Sequence, residues 1–185
     1  MRILGGKLKG KNLYGSQDLS IRPLTNLTKK SIFDSLQNFY QDKSVLDLFS
    51  GSGSFGLEAF SRGAKSITFV EKSEKSLAVL QRNISLIPAD RDCLKIIKGD
   101  AQKFCSKSGV SYDLILMDPP FNFPEIQALL DAIFSNKILN NNGIMVVHHE
   151  ILNPIQNDTA DYMIMKQKKF GRSLISYIAW KESYV

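Results

Sequence analysis

The chain has 185 residues, 43% of them hydrophobic, a net charge of +6 and only two cysteines, Cys93 and Cys105. That length suits one domain able to bury roughly 70% of its unfolded surface in a single core. No apolar run approaches the roughly 18 residues that span a bilayer, the start lacks a signal-peptide core, and the cysteines have no metal-ligand spacing, so membrane, disulfide-stapled and zinc-module classes are excluded and a reduced intracellular chain without a metal is expected. The charge is unevenly placed. Residues 1–30 carry Arg2, Lys7, Lys9, Lys11, Arg22, Lys29 and Lys30 against Asp18 alone, whereas the remainder holds 17 bases and 17 acids. Such a segment reads as a phosphate-facing arm, with a solvated basic tail as the plain alternative.

In chain order, residues 1–14 read as a short hairpin, with Gly5-Gly6 and Lys9-Gly10-Lys11 supplying turns. Residues 26–40 read as a helix, because Leu27, Ile32, Phe33, Leu36, Phe39 and Tyr40 recur at three- to four-residue steps and Thr25 can cap its start. From residue 44 strands and helices alternate. Apolar runs at 44–49, 66–70, 94–98, 112–117 and 143–148 predict strands, with helices at 54–62, 74–87, 101–107 and 124–135 between them, which is a doubly wound, mostly parallel α/β sheet. Asn140-Asn141-Asn142-Gly143 reads as a turn. The strand-like runs 161–170 and 173–180, split by Gly171, predict a closing hairpin whose tip gathers Lys166, Lys168, Lys169 and Arg172, either a second phosphate-contacting patch or a solvated tip. His148 and His149 are adjacent on a strand and should face opposite ways, so joint metal binding is not expected.

Two motifs carry chemistry. The strand Val45-Leu46-Asp47-Leu48 runs into Phe49-Ser50-Gly51-Ser52-Gly53-Ser54-Phe55-Gly56, a G-x-G-x-x-G loop opening a helix, and Glu71 ends the next strand 20 residues beyond Gly51. An acid there can grip two ribose hydroxyls. The glycine spacing fits a dinucleotide fold equally well, but Asp47 would repel a pyrophosphate and instead suits a cationic amino group. Asp118-Pro119-Pro120-Phe121 ends the fourth strand, where two prolines force the chain out of the sheet. Asp118 and the Pro119 carbonyl can accept the two protons of an exocyclic amino group, while Phe121 stacks on a base taken out of its helix. A strand-ending turn with a buried aromatic is the bland alternative.

The order Asp47, Gly51-Ser52-Gly53, Glu71, Asp100, Asp118-Pro119-Pro120-Phe121 resembles the class I S-adenosylmethionine-dependent methyltransferases. The start Arg2-Ile3-Leu4-Gly5-Gly6-Lys7-Leu8-Lys9-Gly10-Lys11, followed by Arg22-Pro23-Leu24-Thr25, is similar to the RsmD-type guanine-N2 methyltransferases of bacterial small-subunit ribosomal RNA. The resemblance covers nearly the whole chain. It implies a seven-stranded sheet whose last strand is antiparallel and inserts beside the fifth, in one domain over residues 1–185 with residues 1–25 as its RNA-contacting extension. It further implies S-adenosylmethionine as cofactor, held by Asp47, Phe49, Gly51, Gly53, Glu71, Lys72, Asp100 and Ala101, with Asp100 equally readable as a helix cap. Asp118, Pro119, Pro120 and Phe121 would be the catalytic set. Arg2, Lys7, Lys9, Lys11, Arg22, Thr25, Lys169 and Arg172 would contact 16S ribosomal RNA, naked or within an assembling small subunit, in a monomeric cytoplasmic enzyme. One departure is visible: an acid is expected soon after the fifth strand, and the chain reads Val146-Val147-His148-His149-Glu150, so only Glu150 keeps that character and the role of position 148 stays open. Asp-Pro-Pro-Phe also serves adenine N6, so an adenine methyltransferase is the enzymatic alternative. A nicotinamide oxidoreductase would leave the tetrad without a task, and a non-catalytic ribosome-assembly module would not need the cofactor residues.

Overall fold

The computed structural model describes residues 1–15, 25–37, 39–87, 93–121, 123–156 and 159–184. Seven strands form one sheet in the order β3-β2-β1-β4-β5-β7-β6. β1 (Ser44–Leu48), β2 (Ser66–Glu71), β3 (Leu94–Lys98), β4 (Tyr112–Met117) and β5 (Leu139–Glu150) run parallel, whereas β6 (Tyr162–Phe170) and β7 (Ser173–Trp180) form a hairpin with β7 antiparallel to β5. The doubly wound sheet and the inserted last strand are as expected. Its central strands are continuous apolar runs because both faces are covered. Val45, Phe69 and Leu116 pack under α1 (Asn26–Leu36), α2 (Ser54–Ser61) and α3 (Glu74–Ser85), while Leu46, Val70 and Met117 face α4 (Ala101–Lys107) and α5 (Ile126–Ser135).

Two boundaries differ from the sequence reading by more than two residues. The helix predicted over 26–40 ends at Leu36: Gln37 adopts φ 49° and its N–H turns back to the Asp34 carbonyl (3.3 Å). Tyr40 owes its apolar spacing to a turn instead, packing edge-to-face on Phe33 at 5.7 Å. The turn expected at 140–143 is an irregularity inside β5, which begins at Leu139 opposite Tyr112 and resumes regular pairing only at Ile144 opposite Leu114. A Cβ on Gly143 would lie 2.6 Å from Leu139 Cδ1 and 2.8 Å from the Asn140 carbonyl, so only glycine permits the chain to double back this tightly.

The basic start is a hairpin closed by the Arg2–Asn12 bridge, with Ile3 and Leu13 buried beneath it. It is clamped to α2. Glu58, fully buried, accepts the Leu4 N–H (2.8 Å), pairs with Lys29 Nζ (3.3 Å) and accepts from Arg62 Nε (2.7 Å), while Lys29 also donates to the Arg2 carbonyl (2.9 Å) and Ser54 Oγ (3.1 Å). Lys29 is thus removed from the surface, although the sequence places it in the basic arm. Burial lowers its pKa, an effect that the Glu58 charge opposes. Glu58→Ala would leave the Lys29 cation without its counter-charge; it should cost about 3–5 kcal/mol in denaturant unfolding and expose the arm to proteolysis. An unchanged unfolding midpoint would contradict this clamp.

Candidate active site

Five parallel strands deliver their carboxyl ends to one edge of the sheet, and the strand order reverses between β1 and β4, the place where open α/β sheets bind ligands. Leu48 pairs with Met117 across these two strands, so Phe49 and Asp118 leave the sheet side by side. Met117 pairs in turn with Val147, which sets Asp118 beside His148.

Asp47 is buried at 1% exposure near the end of β1, and its Oδ2 accepts the Gly56 N–H at 2.8 Å. Its second oxygen has no partner among the described residues. Burial pushes the Asp47 carboxyl up to about 8; the Gly56 hydrogen bond opposes this, and the charges of Asp118 and Glu71 add to it. The loop after β1 is shaped by backbone constraints. Gly51 and Gly53 lie at φ 53° and 79°, and Phe49, which is not glycine, at φ 57°. A Cβ on Gly53 would meet Leu80 Cδ1 at 2.4 Å, and one on Gly56 would meet Phe69 at 2.4 Å and Ile67 at 2.7 Å, so Gly53 lets the loop pack against α3 and Gly56 lets α2 close onto the sheet. A Cβ on Gly51 would make only an ordinary contact with the Phe49 carbonyl at 3.9 Å, and Gly99 faces open space.

Glu71 accepts three backbone N–H groups, from Gly51 (2.8 Å) at one oxygen and from Lys72 (2.9 Å) and Ser73 (2.8 Å) at the other. It therefore staples the glycine loop to β2 and keeps about one lone-pair direction for a ligand. Asp100 caps α4, its Oδ1 accepting from Gln102 (3.0 Å) and Lys103 (3.2 Å), while Oδ2 lies 3.7 Å from Lys72 Nζ. Ala101 is buried behind it.

Past β4, the Phe123 N–H donates to the Pro120 carbonyl (2.9 Å), closing a turn, and Asn153 Nδ2 donates to the Phe123 carbonyl (2.8 Å), tying in the segment after β5. The Pro119 carbonyl has no partner among the described residues. Phe123 packs edge-to-face on Phe49 at 5.0 Å, joining the two loops. A pocket lined by Pro119, Pro120, Phe121, Phe123, His148 and Asn153 opens beside the tetrad. Asp118 Oδ1 lies 2.7 Å from His148 Nδ1. His149 points the other way, as expected: Ser176 Oγ lies 2.7 Å from its Nε2, the Glu150 and Asn153 carbonyls accept from Nδ1, and burial lowers its pKa.

Asp47, Glu71 and Asp118 thus converge with no Lys or Arg salt bridge to any of them among the described residues. Three carboxyl groups facing an open glycine loop fit a cationic ligand carrying hydroxyls, and S-adenosylmethionine has that chemistry: an ammonium and a sulfonium for the acids, ribose hydroxyls for Glu71.

The residues expected to contact RNA lie elsewhere. Arg2, Lys7 and Lys9 are exposed on the arm, Lys11 is half-buried, and Lys7 sits 4.3 Å over the Phe60 ring. Thr25 caps α1, accepting the Thr28 N–H at 3.1 Å, and Arg22 falls outside the described residues. Lys169 and Arg172 are exposed at the β6–β7 tip, where Arg172 pairs with Glu150 at 3.1 Å. Lys168 donates to Ser31 Oγ (3.1 Å) on α1, two residues from the Lys29 that holds the arm, so the two basic segments border one helix. The sequence reading missed Asn83, whose Nδ2 donates to both the Tyr14 and Ser52 carbonyls (3.0 and 2.8 Å) and links arm to glycine loop.

The family model described as Conserved hypothetical protein 95 matches residues 1–179. Ribosomal RNA small subunit methyltransferase D of Buchnera aphidicola is 30% identical over 171 residues, covering 91% of this chain and 86% of its own. The protein of the same name from Escherichia coli is 26% identical over 172 residues, covering 93% and 86%. Among solved structures, a candidate methyltransferase of Escherichia coli superposes with a TM-score of 0.87 at 25% identity, covering 97% of each chain.

The raised Asp47 pKa has a stability consequence. An aspartate in the unfolded chain titrates near about 3.9, so between about pH 4 and pH 8 the folded protein holds a proton that the unfolded chain has lost, and this group's contribution to stability falls as pH rises through that window. Asp47→Asn should remove that fall. Urea unfolding at about pH 5 and pH 8 checks it: the wild type should lose more stability between the two than the variant, and equal losses would contradict the buried, proton-holding Asp47.

Proposed function

The chain belongs to the Conserved hypothetical protein 95 family, the RsmD-type S-adenosylmethionine-dependent methyltransferases, and we propose that it methylates the exocyclic N2 of a guanine in 16S ribosomal RNA. The observation that carries the reading is the emergence of the cofactor-type loop and the Asp118-Pro119-Pro120-Phe121 tetrad from neighbouring strands at the sheet's switch point. When bound, S-adenosylmethionine supplies a methyl group already activated for transfer. The unpartnered oxygen of Asp47 takes the cationic amino group, Glu71 offers its remaining acceptor direction to a ribose hydroxyl, Asp100 and Ala101 line the adenine, and Phe49 and Lys72 flank the loop. Asp118 and the Pro119 carbonyl accept hydrogen bonds from the two N–H groups of the guanine amino group, which draws its lone pair out of the ring and toward the donor; as the N–C bond forms and the C–S bond breaks, one of the two protons is lost and the other stays on the methylated nitrogen. Phe121 stacks on the extruded base. No side-chain nucleophile is needed, because alignment and electrostatics supply the acceleration.

RNA is held by the arm residues Arg2, Lys7, Lys9 and Lys11, by Arg22, by Thr25 at the start of α1, and by Lys169 and Arg172. The Lys168–Ser31 contact supports treating arm and hairpin as one phosphate-facing surface. The substrate is small-subunit RNA, naked or within an assembling subunit, and the enzyme acts as a cytoplasmic monomer. Guanine is favoured over adenine by the resemblance of the arm, since the tetrad serves either amine.

Transfer of radiolabelled methyl to unmodified small-subunit RNA, naked and partly assembled, followed by nucleoside identification, tests the reading. N2-methylguanosine is the expected product; N6-methyladenosine would replace the substrate assignment, and no transfer despite cofactor binding would overturn it. Asp118→Ala should lower kcat by at least about 100-fold at nearly unchanged cofactor affinity, and intact transfer would remove Asp118 from the chemistry. Lys9→Ala and Lys169→Ala should each reduce the salt slope of RNA binding by about one and weaken binding alike for specific and unspecific RNA.

A further inference from the structure

Asp118 follows the last residue of β4 and precedes two prolines, so no regular backbone pairing fixes its side chain. The single hydrogen bond to its carboxylate among the described residues comes from His148, with Nδ1 to Oδ1 at 2.7 Å. An ionised carboxylate only accepts, so the proton in this contact belongs to Nδ1, and the length lies in the charge-assisted range. The ring of His148 is itself held. It is 8% exposed, its backbone pairs with Ile175 of β7, and its ring lies T-shaped to the Phe121 ring, with centroids 6.0 Å apart and planes at 89°.

We infer that His148 is a positioning residue for methyl transfer: its Nδ1–H occupies Asp118 Oδ1 and so presents Oδ2 to the amino group of the target base, while its T-shaped contact helps to set the plane of Phe121. This deepens the function proposed above and rests on it. It gives a role to the position where the resemblance implied an acid. A carboxylate at 148 would repel Asp118, whereas an imidazole N–H pins it.

Three substitutions separate positioning from simple packing. Asparagine places an N–H donor near the position of Nδ1, glutamine carries it one bond further, and leucine fills similar space with no donor. His148→Leu and His148→Gln should lower kcat about 10- to 100-fold with KM for cofactor and RNA within about twofold of wild type, and His148→Asn should recover most of the loss. Thermal unfolding of each variant reports folding separately. Nitrogen-15 spectra of the imidazoles in the wild-type protein, which need neither substrate nor turnover, should show His148 protonated at Nδ1 and perturbed by Asp118→Asn. Wild-type kcat in a folded His148→Leu enzyme, a His148→Asn enzyme as slow as His148→Leu, or a His148 protonated only at Nε2 would each overturn the inference. A wild-type enzyme that transfers no methyl to small-subunit RNA would instead overturn the proposed function, while the tautomer measurement still decides the Asp118–His148 contact.

Discussion

The register of three adjacent parallel strands is the constraint from which the site follows. Leu48 beside Met117, and Met117 beside Val147, bring the next residue of each strand, Phe49, Asp118 and His148, into a row at the carboxyl edge of the sheet. A slip of one residue in either pairing would turn alternate side chains to the other face of the sheet. The apolar runs of β1, β4 and β5 prevent such a slip, because each strand buries both faces against a different set of helices. Core packing thus sets the geometry of polar groups that make few contacts of their own.

A second feature is the number of polar groups the fold commits to holding loops rather than ligands. Glu71 spends three acceptor directions on backbone N–H groups, and Asp100 spends one oxygen on the start of α4. These bonds fix the loops before any ligand arrives, lowering the ordering cost of binding. The basic arm is fastened in the same manner, through Glu58, Lys29 and Asn83, and two of those residues also touch the glycine loop, at Ser54 and Ser52. The basic arm and the glycine loop are therefore built on shared buried hydrogen bonds.

Much of this was legible in the sequence, and the exceptions have physical causes. Strands β3, β4 and β7 were read to the residue, because apolar runs bounded by Gly, Ser and Asp leave few alternatives. The end of α1 was misread since Phe39 and Tyr40 keep helical spacing while packing from a turn, and the spacing of apolar residues does not register a positive φ at Gln37. Asp47, Glu71 and Asp118 stood out as acids at strand ends. His148 did not, because its meaning depends on pairing between β4 and β5, although both strand ends were placed well enough for Asp118 and His148 to be set side by side. Glu58, a lone acid in the apolar run from Phe55 to Phe60, and Asn83, a polar residue between Leu80 and Ile84, carried the sequence signature of buried polar groups with partners. Which partners they had required the fold.

The central claim is that the β1 and β4 carboxyl ends hold cofactor and target amine face to face. A crystal structure with S-adenosylhomocysteine and a guanine-containing RNA fragment bound measures this directly. The account predicts the guanine N2 within about 3.5 Å of both Asp118 and the Pro119 carbonyl, on the side facing the cofactor sulfur, with Phe121 against the ring. A guanine seated away from the tetrad, or a side chain standing between its N2 and the sulfur, would contradict it.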